Sequence, residues 1–384
     1  MTQVHGSVAP GFEPVADAFA ANFERHGEVG AACCVYAGGQ AVVDLWGGFA
    51  DREAGRAWER DTAALVFSTT KGATAVCMNL LAERGAIDLD RPVAAYWPEF
   101  AAAGKGAIPV RWLLGHRAGL AAVDGDLTLD EVLAWDPVVR ALAAQAPNWE
   151  PGTAHGYHAR SYGWLNGEVI RRATGRSPGR FFADEIARPL ALDFWIGLPE
   201  AEERRVAKIY PAAPPSEPGA PDLLKAMVGP DTLLGRVMTG PSDLFRYDDM
   251  WNRRALHAAE MPSSNGIASA RAVARMYAAL IGEIDGVRLL HPETVARACE
   301  VQSEGPDRVL VMPTRFGLGF MLPPALSRRA GRTAFGHPGA GGSLGLADRE
   351  RGFALGYVMN QMQFGLTGDP RSEGLLEAVE RSLG

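Results

Sequence analysis

The chain has 384 residues, 47% of them hydrophobic and 22% charged. That is the composition of an ordinary globular protein, long enough to bury a large core in about two structural units. Against 45 Asp and Glu it sets 38 Lys and Arg, and the net charge of −7 has no long runs of one sign, which argues against nucleic-acid binding through a basic face.

No window reaches the roughly 18 uninterrupted apolar residues of a membrane helix. The first residues, MTQVHGSVAPGFEP, lack the basic and apolar regions of a secretory leader. Cys33, Cys34, Cys77 and Cys299 are too few and too unevenly spaced for a disulfide scaffold, and no C-x-x-C pair suggests zinc. A reducing cytoplasm is the expected setting.

Along the chain, Phe12, Val15, Phe19 and Phe23 recur at helical spacing and predict an amphipathic helix over residues 12–25. Gly30–Tyr36 and Gln40–Phe49 follow as strands joined at Gly38-Gly39, a hairpin signal. From about residue 68 to 280 the pattern is mostly helical. Its predicted helices are Lys71–Arg84, Asp130–Ala144, Tyr162–Thr174 and Ser269–Ile281, the last with Ser269 as N-cap, and Tyr210–Gly219 reads as a surface loop. Strands return at Phe316–Leu322, Thr333–Phe335, Ser343–Ala347 and Phe353–Met359, and Glu373–Leu383 closes the chain as a helix. The expected architecture is α+β: an antiparallel sheet from both chain ends (residues 1–66 and 282–384), flanked by terminal helices. A mostly helical unit (67–281) is inserted, with the substrate cleft between the two.

The tetrapeptide Ser68-Thr69-Thr70-Lys71 follows the apolar Leu65-Val66-Phe67 and opens a helical run. A spacing of three puts Ser68 and Lys71 on one helix face, beside the free N–H groups of the helix start. There the Ser68 N–H can hold an oxyanion. Near pKa 10.4 only about one lysine in 10³ is neutral at pH 7, so Lys71 needs burial and the positive helix end to act as a base. By itself the tetrapeptide reads more plainly as an N-cap serine with a solvent-facing lysine.

Further motifs follow in order: Gly85-Ala86-Ile87-Asp88-Leu89-Asp90-Arg91-Pro92-Val93, Leu113-Leu114-Gly115-His116-Arg117-Ala118-Gly119-Leu120, Pro151-Gly152-Thr153 ahead of Tyr157-His158-Ala159, and Gly336-His337-Pro338-Gly339-Ala340-Gly341-Gly342. With Phe67-Ser68-Thr69-Thr70-Lys71-Gly72, the series resembles the serine β-lactamase/penicillin-binding-protein superfamily. Within it the chain is similar to the class-C-β-lactamase-like carboxylesterases, the family VIII esterases, over about residues 15–365.

The resemblance implies a β-lactamase-like fold, with Tyr157 as proton-handling partner of Ser68 and Lys71. It places His337-Pro338-Gly339 on the strand lining the cleft, and gives Ala340 the second oxyanion N–H. A phenolate at Tyr157 would be stabilised by a neighbouring lysine ammonium. Many relatives carry Asn two residues after this tyrosine; here it is Ala159. His337 stands where a lysine is usual, and either supplies polarity and a modest positive charge near pH 6.5 or is structural.

Gly341-Gly342-Ser343-Leu344-Gly345 matches the nucleophile elbow of α/β-hydrolases, but a strand pattern follows Ser343 and no histidine lies beyond His337. His155 and His158 lack a third ligand for a metal. The expectation is therefore a serine hydrolase of small carboxylic esters, using an acyl-enzyme and neither metal nor organic cofactor. Acyl transfer, amide or β-lactam hydrolysis at the same site, and a non-catalytic scaffold of the same fold are the alternatives.

Overall fold

The structure, a computed structural model, describes residues 2–213, 229, 231–365 and 368–384. Its main sheet is antiparallel. The order is Val4–Val8, Gln40–Asp51, Gly30–Ala37, Phe353–Met359, Leu344–Asp348 and Ala334–Pro338, and Arg56–Ala57 pairs with Gln40–Asp51. The two chain ends join at its centre, where Phe353 pairs with Ala37 and Met359 with Ala31. The hairpin turns at Gly38 (φ 56°) and Gly39 (φ 78°), two successive positive values that side chains with a Cβ resist.

Both faces of the sheet are covered. Ala31, Cys33 and Val35 pack with Val15 and Phe19 of the helix Glu13–Arg25 and with Leu375, Leu376 and Val379 of the helix Pro370–Leu383. Ala32, Cys34 and Tyr36 face the opposite core, which holds the helix Ala270–Ile281. Gly345 and Gly356 let that helix lie close: a Cβ on Gly356 would sit 2.3 Å from the Ala270 carbonyl oxygen. Strands buried on two faces cannot alternate in polarity, so these runs are apolar throughout. No described helix is long and apolar enough to cross a membrane.

Several expected elements are redrawn. Asp130–Ala144 is two helices, Leu129–Leu133 and Asp136–Ala144, split by Trp135 at φ 71° just before Pro137. Phe316–Leu322 is not a strand. Pro313–Phe316 is extended, after which the chain reverses, Gly317 donating to the Phe320 carbonyl with Gly319 at φ 89°. Val4–Val8, an edge strand with at most partly buried side chains, has no periodic signal. Ser269 does cap its helix, accepting from the Ala272 N–H at 3.2 Å. Of the expected loop Tyr210–Gly219, residues 214–219 lie outside the described residues.

Candidate active site

Ser68 sits in a short 3-10 turn, Phe67–Thr69, that runs straight into the helix Thr70–Glu83. Phe67 just before it is held at φ 42°, a strained value for a bulky residue. Its ring is wedged 5.1 Å from that of Trp251 and 5.8 Å from that of Tyr247. The strain turns the next residue into a pocket, where Ser68 meets Tyr157, Arg160, His337 and Ala340.

Lys71, one helical turn on, is fully buried and not solvent-facing. Its Nζ lies 3.2 Å from Ser68 Oγ, and it donates to the carbonyls of Ala159 at 2.6 Å and Ser263 at 3.0 Å. Burial, reinforced by the charge of Arg160, drives its pKa well below the ordinary lysine value. Ser263-Ser264-Asn265-Gly266, a plain turn in the sequence, is thus part of the site. Ser264 lines the pocket, and Gly266 bonds the Ser68 segment at both ends, to the Val66 N–H at 2.9 Å and to Thr70 Oγ1 at 2.9 Å.

Tyr157 lines the same pocket as Ser68, which sits close enough to ease the cost of a phenolate there, and its ring lies 4.8 Å from Lys71 Nζ. Burial pushes the phenol above its ordinary value despite that neighbour. Lys71 is lowered as use as a base requires, whereas the expected phenolate is disfavoured: a dry site favours the uncharged forms of both, amine and phenol. The tyrosine is held by Asp307, which the sequence reading missed. Asp307 Oδ1 accepts from the N–H groups of Tyr157 (3.0 Å), Val309 (2.8 Å) and Leu310 (2.9 Å). Its only local signal is the turn-like Gly305-Pro306-Asp307.

His337 lies on the strand Ala334–Pro338 and lines the pocket, its ring 5.9 Å from that of Tyr157. Its Nδ1 donates to the Pro338 carbonyl at 2.7 Å, and burial with the neighbouring Lys71 pulls its pKa down to about 3. It is neutral at pH 6.5, so the expected modest positive charge is absent. Gly339 must be glycine: a Cβ there would lie 2.1 Å from Ser343 Oγ and 2.2 Å from the Val66 carbonyl oxygen. Ala340 borders the pocket, and neither its N–H nor that of Ser68 has a hydrogen-bond partner among the described residues.

Ser343 is not an exposed nucleophile. It is buried, donates to the Val66 carbonyl at 2.9 Å, bonds with Thr69 Oγ1 at 3.1 Å, and is followed by the strand Leu344–Asp348 rather than a helix. It ties the Ala340 turn to the Ser68 turn. Arg371 grips the same turn from the other side. Fully buried, it donates to the Gly341 carbonyl while pairing with Glu28 at 3.0 Å and Asp369 at 2.8 Å. His158 accepts from the Leu120 N–H at 3.0 Å and donates to the Gly156 carbonyl at 2.7 Å, and His155 bonds Thr314 at 2.9 Å. No cluster of three or more metal-ligand side chains occurs among the described residues.

The beta-lactamase family profile matches residues 15–380. Esterase/beta-lactamase LipL of Mycobacterium tuberculosis (strain ATCC 25618 / H37Rv) is 38% identical over 368 residues, 94% of this chain and 83% of that protein. A family VIII carboxylesterase crystal structure superposes with a TM-score of 0.89 at 40% identity, covering 99% of this chain and all of the other. EstA from Arthrobacter nitroguajacolicus Rue61a superposes at 0.88 with 37% identity over 100% and 98% of the two chains. With a serine, a buried lysine and a tyrosine meeting at one pocket and a match along nearly its whole length, the chain belongs to the beta-lactamase family.

Proposed function

We propose that this protein is a serine ester hydrolase that works through an acyl-enzyme on Ser68. The observation that carries the reading is the environment of Lys71 Nζ. A neutral amine has two N–H groups and one lone pair. The carbonyls of Ala159 and Ser263 take the two hydrogens, which leaves the lone pair for the Ser68 hydroxyl 3.2 Å away.

Lys71 takes the Ser68 proton as Oγ bonds to the ester carbon, and the N–H groups of Ser68 and Ala340 hold the oxyanion. The ammonium so formed is unstable in its dry site, so the proton moves on through the Tyr157 hydroxyl to the departing alkoxide. Water then attacks the acyl-enzyme over the same proton path, releasing the acid and restoring Ser68. Gly339 keeps the Ala340 turn close to the nucleophile segment, and neutral His337 walls the pocket beside Tyr157. The reading draws Ser68, Lys71 and Tyr157 from residues 67–281 and Ala340 from the sheet unit of residues 1–66 and 282–384. A cytoplasmic setting is part of the proposal, supported by four free cysteines, three of them buried.

Ser68→Ala should abolish hydrolysis of 4-nitrophenyl butyrate, and labelling by a fluorophosphonate probe, with the Tm unchanged. Retained turnover would end the assignment. In the wild type, the acid limb of kcat/KM should lie well below the ordinary lysine range, because only neutral Lys71 accepts the proton.

A further inference from the structure

Arg160 stands three residues after Tyr157 and is the one permanently charged side chain among the described residues lining the Ser68 pocket. Only 4% of it is exposed. Its guanidinium lies against three aromatic rings, 4.7 Å from the centre of Phe245, 5.6 Å from Tyr247 and 5.7 Å from Trp251. Those faces hold the group in place but offer no hydrogen-bond acceptors in its plane. Nη1 donates to the Met238 carbonyl at 2.6 Å, while Nε is buried with no partner among the described residues. No carboxylate pairs with Arg160 among the described residues, whereas the other deeply buried arginine, Arg371, has two.

A buried cation without an anion is costly. A guanidinium carries five N–H donors and Arg160 makes one hydrogen bond among the described residues, so it has donors left for a carboxylate. We propose that Arg160 anchors a subsite for a substrate carboxylate, so that the preferred esters carry a free carboxylate on their acyl or their alcohol part. This rests on the ester-hydrolase reading and adds the substrate class to it.

Two substrate pairs locate the carboxylate: mono-4-nitrophenyl glutarate against 4-nitrophenyl valerate for the acyl side, and 4-acetoxybenzoate against its methyl ester for the alcohol side. In at least one pair the wild type should favour the anion about 10- to 100-fold in kcat/KM, the range of a charge-assisted hydrogen bond. Arg160→Gln should bring that ratio to one or below, and Arg160→Lys should restore part of it. A wild-type preference for the neutral ester in both pairs, or a preference for the anion that survives Arg160→Gln, would overturn the subsite.

Binding of benzoate against benzamide, measured by calorimetry on the wild type, decides the same question without turnover and without relying on a variant that folds. Tighter benzoate binding supports the subsite and equal binding refutes it. Cleavage of neutral esters alone, dependent on Ser68, would leave the hydrolase standing and the subsite refuted. Benzoate binding with no ester cleaved would do the reverse.

Discussion

Two lysines among the described residues are buried, and their acceptors separate their roles. Lys105 Nζ donates to three carbonyls, those of Ala102, Ala143 and Gln145, which satisfies an ammonium. Lys71 has only two carbonyls and the Ser68 hydroxyl, which suits an amine. Lys71→Met should therefore remove at least about 10³ of kcat on 4-nitrophenyl butyrate, because it deletes the amine that takes the Ser68 proton. Ser343→Ala tests the competing serine. It deletes two buried hydrogen bonds that join the oxyanion segments, so kcat should fall about tenfold or less while Ser68 still labels with a fluorophosphonate. Complete loss of both would mean that the elbow motif is the nucleophile. The Ser68–Lys71 pairing was legible because three residues of helix bring two side chains together without help from the rest of the fold. Asp307 was not, because it acts on Tyr157 from 150 residues away.

At the scale of elements, the turn Gly339–Ser343 is held from both sides, and its glycines mark where. A Cβ on Gly342 would lie 2.3 Å from Arg371 Nη2 and 2.4 Å from Asp369 Oδ2, so the turn lies directly on that ion pair. Arg371 begins the last helix, and its bond to the Gly341 carbonyl fixes the peptide beside Ala340. Arg371→Leu should lower kcat about 10- to 100-fold with KM little changed, since the oxyanion is held only in the transition state. It should also lower Tm, by leaving Glu28 and Asp369 without their cation. Arg371→Lys should recover part of the stability but little of the rate, because an ammonium cannot span Glu28, Asp369 and the carbonyl together. An unchanged kcat in Arg371→Leu would free the turn from this helix. The hairpin at Gly38-Gly39 and the Ser269 cap were readable because their causes are local. The false strand Phe316–Leu322 has an extended apolar composition, but its reversal is decided by pairing of Met321 with Gly336.

Over the whole molecule, His116, His158 and His337 are buried, and burial lowers the pKa of all three, to about 4 for His158 and about 3 for His337. A folded pKa below the unfolded value of about 6.5 means that the unfolded chain binds more protons in between. The stability these residues contribute is then complete above pH 6.5 and lost as the pH falls toward 3. Glu28 opposes them. Burial raises it to about 7, so its contribution is complete below about 4.5 and fades as the pH rises through 7. With His155 also lowered and Glu260 also raised by burial, four imidazoles outweigh two carboxyls, and Tm should drop by several degrees between pH 6.5 and 4. A Tm that is flat over that range by scanning calorimetry would contradict this balance.

What the sequence by itself determined is the order of the motifs, the α+β pattern and the pairing of Ser68 with Lys71, because helix spacing, caps and two-glycine turns are written within a few residues of one another. Only the tertiary structure decided the charges in the site and who holds its parts. Whether Lys71 and Tyr157 rest as amine and phenol, whether His337 is neutral, and whether Arg160 lacks an anion among the described residues all depend on exclusion of water and on partners far along the chain. Burial is a property of the assembled core, and no stretch of residues carries it alone.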